Sequence, residues 1–294
     1  MKTSLIIPAY NEEKAISLVI EEYRDKVDEI LVIDDGSSDR TYDIAKAYDI
    51  KLHKHEKNKG KVAAIRTGIN SASGDLIILT DADFTYPAEY VPIFIKKINE
   101  GADMVLGSRS YESNMPILNK LGNTIFSFLA SYFSGKEIKD GQTGYRAFKK
   151  SMFPYLDVDA KSLEWETKMT IKAAKLGYKI SEVPIIYRER IGESKLRPIK
   201  DGYKMFKAVF DIVITETSTL AKVLMLPSII FFIIGMIFGL VSLKERIIVG
   251  SLTNEYFPIL STLFILIAIQ LFSIGVILDN LTKRLDRIED KIMN

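Results

Sequence analysis

The chain has no cysteine, which excludes disulfide staples and thiolate metal sites and suits a reducing compartment. Histidine is nearly absent as well. His53 and His55 fall in a lysine-rich stretch that reads as a solvated loop, not a metal site. Neither sign of charge dominates, with 40 Lys and Arg against 38 Asp and Glu, so there is no basic footprint and no nucleic-acid partner is expected. No G-x-G-x-x-G follows the first apolar run and no G-x-x-x-x-G-K-[ST] occurs, which weighs against a dinucleotide oxidoreductase and a P-loop phosphotransferase. The first eight residues carry too few apolar side chains before Pro8 for a signal peptide and read as a first strand.

What the chain does have is an uneven distribution of apolar residues. Up to about residue 215 it reads as a charged α/β protein. Beyond lie two uncharged runs, Val223 to Leu243 and Tyr256 to Leu278, each long enough for a helix to cross about 30 Å of hydrocarbon, so spans are expected at about 222–243 and 256–278. Pro227 and Pro258 fall near the starts of these runs, where a helix tolerates proline. Too little sequence remains to cover two all-round apolar helices in a soluble core, so a transmembrane hairpin over 220–278 is expected. Lys204, Lys207 and Lys222 before it, and Lys283, Arg284 and Arg287 after it, predict that both flanks are cytoplasmic in a cell membrane. The connector's Lys244 and Arg246 argue mildly the other way.

In the first part, apolar runs at 3–7, 29–34, 75–80 and 103–107 alternate with amphipathic stretches at 12–23, 39–48, 59–71 and 87–99. This order predicts an α/β fold with a mainly parallel, Rossmann-like sheet and flanking helices, whose ligands bind beyond the carboxyl ends of the strands. The first three runs end in Pro8-Ala9-Tyr10-Asn11-Glu12, Asp34-Asp35-Gly36-Ser37-Ser38-Asp39 and Asp81-Ala82-Asp83, so three polar edges converge on one crevice. Two carboxylates one residue apart at a strand end suit a hard divalent cation, Mg²⁺ or Mn²⁺, with a diphosphate among its other ligands. Asp35 suits a nucleobase N–H or a ribose hydroxyl, although an Asp-Gly turn followed by an Asp39 helix cap accounts for the same residues. Further on come Gly107-Ser108-Arg109, the polar loop 140–146, Glu164-Trp165-Glu166 opening a helix, and an Arg- and Lys-bearing stretch at 187–196 suited to phosphate. Amphipathic stretches near 116–133 and 198–213 are candidates for the bilayer interface. In the charged tail 279–294, Leu278, Leu281, Leu285, Ile288 and Ile292 form a short heptad seam that hints at self-association.

These motifs, with Gly144-Tyr145-Arg146 and Gly192-Glu193-Ser194-Lys195-Leu196, stand in the order seen in inverting GT-A glycosyltransferases. Over about residues 1–215 the chain closely resembles the polyprenyl-phosphate (dolichyl-phosphate) sugar synthases of family 2. The two apolar runs resemble the two-helix members, often homotetramers. The resemblance implies that Pro8, Tyr10, Glu12, Ile33 and Asp35 hold the nucleotide of a nucleotide-diphosphate sugar. Asp81, Ala82 and Asp83 would also line the nucleotide sugar, and Asp81 and Asp83, with Thr85 as the third candidate ligand, would hold the metal and diphosphate. Arg109, Arg190 and Lys195 would hold lipid and donor phosphates, with Arg188 as the alternative to Arg190. Where dolichyl-phosphate mannose synthases often carry a Gln metal ligand, this chain has Thr85, and an Arg common on their interface helix is replaced by the region of Asn119 and Lys120. The expected reaction is metal-dependent, inverting transfer of a hexose to a polyprenyl or dolichyl monophosphate. Phe84-Thr85-Tyr86-Pro87 inclines the donor toward UDP-glucose or another UDP-hexose over GDP-mannose. The rival readings are a polysaccharide synthase on the same fold, for which two spans are few and no Q-x-x-R-W signature is present, and a non-catalytic sugar-nucleotide-binding membrane protein.

Overall fold

The computed structural model describes residues 1–109, 117–158, 164–192, 198–248, 251 and 254–293. It divides into two compact units, Met1–Ile212 and Val213–Asn294.

In the first unit, apolar segments too short for helices become strands: β1 (Thr3–Ala9), β2 (Glu29–Asp34), β3 (Lys51–Lys54), β4 (Leu76–Leu79), β5 (Met104–Arg109), β6 (Arg146–Lys149) and β7 (Ile180–Ile185). Between and around them lie α1 (Ile16–Tyr23), α2 (Thr41–Lys46), α3 (Lys61–Ser71), α4 (Val91–Asn99), α5 (Ile117–Ser134), α6 (Phe153–Leu156) and α7 (Glu164–Lys175), and α8 (Pro198–Glu216) begins in this unit and ends past its boundary. The strands form one seven-stranded sheet in the order β3-β2-β1-β4-β6-β5-β7. Every pairing is parallel except those of β6, which runs antiparallel to both β4 and β5. Leu5, Ile6, Ile7, Leu31, Val32, Ile33, Leu76, Ile77 and Ile78 are fully buried, as expected for a sheet covered on both faces.

The chain runs outward from β1 to β2 and β3, then returns to lay β4 on the other side of β1. That reversal opens a crevice at the carboxyl ends of β1 and β4. It brings the Pro8–Glu12 segment and Asp81–Asp83 to one place. Helix α3 lies close against β1 at Gly68, where an added Cβ would overlap Ile6 Cγ2. Helices α5 and α8 occupy the two amphipathic stretches. Phe126, Leu129, Ala130 and Phe133 of α5 face inward and Phe128 is exposed. On α8, Ala208 and Ile212 are buried, and Tyr203 and Phe210 are exposed.

The second unit pairs α9 (Thr219–Ile248) with α10 (Tyr256–Met293), both long and apolar enough to cross a membrane. Small residues recur every seventh position on the facing sides: Ala221, Ser228, Gly235 and Ser242 on α9, and Ser261, Ala268 and Gly275 on α10. Small side chains let the backbones approach, and close packing is what holds helices together where water is absent. Ser261 Oγ donates to the Gly235 carbonyl at 2.8 Å, and Phe231 and Phe238 stack on Phe264. Asp279 closes the open end by accepting from the Ser218 N–H at 2.7 Å. Pro227 departs from expectation: α9 starts at Thr219, so this proline lies inside the helix and not in its first turn. The outward faces are almost wholly aliphatic and aromatic.

Candidate functional site

The site grows from the end of β4. Asp83 is buried, and its Oδ1 accepts from the Thr85 hydroxyl at 2.6 Å and the Thr85 N–H at 3.2 Å. Thr85 therefore orients the Asp83 carboxylate. Two backbone bonds zip the chain after β7 against this turn: Arg188 N–H donates to the Thr85 carbonyl, and Ile191 N–H to that of Asp83. The zip brings Arg190 to the crevice, where its guanidinium pairs with Glu12 and lies 3.5 Å from Asp83 Oδ2. Arg188 points elsewhere. It forks onto Glu22 with two contacts of 2.9 Å and stacks over Phe84.

Asp81 has its own cation. Lys61, the first residue of α3, places Nζ 2.7 Å from Asp81 Oδ1 and 3.4 Å from Glu166 Oε1. Desolvation by the surrounding chain would lower the Lys61 pKa, but Asp81 and Glu166 outweigh it and raise the pKa. Gly144 forms the floor, since a Cβ there would lie 3.1 Å from Asp81 Oδ2 and 3.2 Å from Lys61 Nζ. Gly144 N–H donates to the Tyr86 hydroxyl, and Tyr86 stacks on Tyr145 at 5.2 Å. Arg146 is fully buried, donates to the backbone carbonyls of Thr143 and Glu166 and to the Met169 sulfur, and lies over the Trp165 ring. Burial lowers its pKa, and its contacts tie the Gly144 loop to α7.

Arg109, at the end of β5, is held more firmly. Its Nε and Nη2 grip Asp140 at 2.7 and 2.9 Å, Nη2 reaches Asn123, and the guanidinium covers the Tyr187 ring. Burial alone would depress its pKa, but Tyr86 and Asp140 raise it, so the charge is secure. Among the described residues, this fork leaves the Nη1 edge for a further acceptor.

At the end of β2, Asp35 is buried and accepts from Lys59 N–H at 2.9 Å, Gly60 N–H at 2.7 Å and His55 Nδ1 at 2.6 Å. His55 Nε2 lies 3.0 Å from the Thr67 hydroxyl, so both ring nitrogens are engaged. This corrects the solvated-loop reading of the histidines. His53 belongs to β3, and His55 is buried because the strand's end carries it under the α3 N-terminus. Pro8 and Ile33 face each other in the β1–β2 register, with the Ile33 side chain fully buried, and Tyr10 is exposed at the rim. Ala82 is buried between the two carboxylates. Lys195 lies outside the described residues, as does most of the Gly192–Leu196 motif.

Several residues here were not read from the sequence as part of the site. Lys61 and His55 enter through the fold, and Glu166, noted along the chain only in the opening of a helix, is brought to Lys61 by it. A Gly-Lys pair heading a helix beside an acidic strand end was the one available hint for Lys61.

Asp81 and Asp83 fit a hard divalent cation. Burial first, and the Asp81 charge second, push Asp83 above the usual carboxylate range, a like-charge conflict that a cation relieves. Among the described residues no group of three or more His, Asp and Glu forms a metal cage. The protein offers two carboxylates, and phosphate and water would complete the shell.

Comparison with known proteins agrees with this geometry. Residues 4–156 match Glycosyl transferase family 2. The chain is 34% identical over 224 residues to a dolichyl-phosphate hexose transferase of Haloferax volcanii, covering 72% of this chain and 94% of that one. It is 34% identical over 232 residues to the UDP-N-acetylglucosamine--dolichyl-phosphate N-acetylglucosaminyltransferase of Methanococcus voltae, covering 69% and 92%. Among solved structures, glucosyl-3-phosphoglycerate synthase from Mycobacterium tuberculosis with Mn²⁺, UDP and glucosyl-3-phosphoglycerate superposes with a TM-score of 0.61 at 22% identity, covering 73% of this chain and 79% of that one. The carboxylate pair at the switch point, the GT-A-like sheet around it and these matches have one conclusion: the chain is a glycosyltransferase and belongs to family 2.

Proposed function

We propose that this enzyme moves a hexose from a nucleotide-diphosphate sugar to the phosphate of a polyprenyl or dolichyl monophosphate. The observation that carries the reading is the pairing of Asp81 and Asp83 with Lys61 and Arg190 at the switch-point crevice, with Arg109 fixed on Asp140. Three cationic groups among carboxylates suit a reaction in which one phosphate arrives and a diphosphate departs. The names of the dolichyl-phosphate relatives support the acceptor class, and a UDP-hexose is the preferred donor.

A lipid phosphate oxygen is already ionised at neutral pH and needs no general base. It attacks the anomeric carbon while the bond from that carbon to the donor's β-phosphate oxygen breaks, and the electron pair leaves with the nucleoside diphosphate. A single displacement inverts the anomeric centre. Asp81 and Asp83 would hold Mg²⁺ or Mn²⁺, which would supply Lewis-acid stabilisation of diphosphate charge. Arg109 offers its Nη1 edge to the acceptor phosphate, and Arg190 is the better placed of the two neighbouring arginines to meet phosphate. Lys61, close to Asp81, is set to offset charge on the leaving group. Catalysis then rests on positioning and fixed charge. Pro8, Tyr10, Glu12 and Asp35 frame the nucleotide. Asp35 has already committed three contacts, so a base N–H would have to use Oδ2. The hairpin of α9 and α10 anchors the enzyme beside its lipid acceptor, with the catalytic unit and both flanks on the cytoplasmic side.

The test is a donor screen in detergent with Mn²⁺ or Mg²⁺. UDP-glucose, UDP-GlcNAc and GDP-mannose are each incubated with and without dolichyl phosphate, and glycolipid is detected by mass. Product from one donor, lost on chelation, is the expected result. Donor binding without glycolipid from any of the three would overturn the acceptor.

A further inference from the structure

Phe84 is an unfavourable residue at which to turn a chain. Among the described residues other than glycine, only Asn11 and Phe84 have positive φ, at 53° and 67°. Asparagine tolerates the left-handed region because its short polar side chain bonds locally, whereas a bulky aromatic residue is strained there. The strained residue sits between Asp83 and Thr85, and its conformation has a direct effect. It folds the chain back so that the Thr85 N–H and hydroxyl reach Asp83 Oδ1 at 3.2 and 2.6 Å. An extended Phe84 would carry both donors away.

The turn is held from outside by Arg188. Its N–H donates to the Thr85 carbonyl at 3.0 Å, its guanidinium lies 4.8 Å over the Phe84 ring, and both Nη atoms fork onto Glu22 at 2.9 Å. Glu22 Oε1 also accepts from the Ala88 N–H at 3.1 Å, and the neighbouring Tyr23 hydroxyl donates to the Tyr86 carbonyl at 3.0 Å. The end of α1 thus grips the segment after Phe84, and a bridge from Glu22 through Arg188 closes over the Phe84 ring. Backbone strain persists only where surrounding contacts over-determine it, and such places cluster at ligand sites.

We propose that Arg188 is a positioning residue for the cation site: by pinning Phe84 in the left-handed region, it holds the Asp83 carboxylate in the orientation a divalent cation needs. Among the described residues its side chain pairs with Glu22 and with neither Asp81 nor Asp83. It therefore acts through shape. Its own charge works the other way, since one cation weakens the binding of another nearby. The proposal rests on Asp81 and Asp83 as the ligands of the cation.

The test is Mn²⁺ titration by calorimetry into the full-length protein in detergent. Loss of charge alone would raise the affinity of Arg188→Ala, whereas the clamp predicts a fall of about tenfold. Arg188→Lys keeps the charge but cannot fork onto Glu22, so its affinity should also fall. Adding Glu22→Gln to Arg188→Ala should cost nothing more, because both changes break one bridge. Pure charge effects would instead cancel in that double variant and restore the parent affinity. In a Phe84→Gly background the left-handed region carries no steric cost, and Arg188→Ala should leave Mn²⁺ affinity nearly unchanged. An equal loss in both backgrounds means general loosening and overturns the clamp, as does full affinity in Arg188→Lys. If Arg188→Ala does not fold, Arg188→Lys carries the same comparison of backgrounds. A parent protein that takes up no Mn²⁺ overturns the carboxylate pair as its ligands and the role of Arg188 with it. Uptake by the parent that Arg188→Ala leaves unchanged or raises overturns the clamp alone.

Discussion

Asp83 and Thr85 form a unit in which a hydroxyl and an N–H fix one carboxylate oxygen and leave Oδ2 directed toward Arg190. Asp83→Asn is therefore expected to keep the fold, because an amide can still accept from Thr85, while losing the charge a cation needs. Mn²⁺ titration by isothermal calorimetry should show affinity falling at least about a hundredfold, with turnover lost in parallel. An unchanged Mn²⁺ affinity would sink the assignment of Asp83 as a ligand. A second residue-scale prediction concerns His55, which touches Asp35 and nothing that reacts. His55→Ala takes one of three donors from a buried carboxylate, and loosening Asp35 should weaken UDP or GDP binding by about tenfold. Mn²⁺ binding to the free protein should be unaffected. If nucleotide affinity does not move, Asp35 is not part of the base pocket.

Strands and helices bring other groups under strain or into register. At the far end of the sheet, Glu29 opens β2 with its carboxylate among Lys51, Ser4 and the Ser73 N–H and hydroxyl. Burial alone would raise its pKa, but these donors prevail and hold it at about 2, against an ordinary value of 4.5. A carboxylate depressed in the folded state stabilises the fold above pH 4.5, and that contribution fades as pH falls from 4.5 toward about 2. Taken whole, that depression is worth about 3 kcal/mol, and solvent screening at this end of the sheet lowers it to about 1–2 kcal/mol. Urea unfolding of Glu29→Gln, followed by the fluorescence of Trp165, the single tryptophan, should show that deficit at pH 7. At pH 3 the gap from the parent protein should narrow. A gap independent of pH would mean that shape at this position matters and charge does not.

For the whole molecule, the catalytic crevice and the apolar hairpin belong to separate compact units. A nucleotide sugar is water-soluble and a polyprenyl phosphate is not, so an enzyme joining them gains from a membrane anchor. Full-length protein expressed in cells should resist carbonate extraction. Protease added outside intact cells should leave the catalytic unit whole and cut only the connector between α9 and α10. Cleavage within Met1–Ile212 under those conditions would reverse the proposed orientation.

Much of this was legible along the chain because it depends on near neighbours. Runs rich in Ile, Leu and Val at 3–7, 29–34 and 75–80 read as buried strands, the uncharged runs after residue 222 as long apolar helices, and the fold has both. Asp81 and Asp83 announced themselves by standing where such a run stops. What only the tertiary structure decided is which distant groups meet. Lys51–Lys54 has no apolar pattern and becomes β3 through its partner β2, and β6 enters between β4 and β5 in the opposite direction with nothing local to signal it. Arg188 and Arg190 are two residues apart in the same loop, yet one is spent on Glu22 and the other reaches Glu12, 178 positions away. Lys61 becomes the counter-ion of Asp81, and His55 the clamp on Asp35, because the fold stacks the start of α3 over the ends of β2 and β4. Hydrophobic periodicity is written in adjacent side chains, whereas the pairing of charges depends on how distant segments pack, and packing is a property of the folded chain.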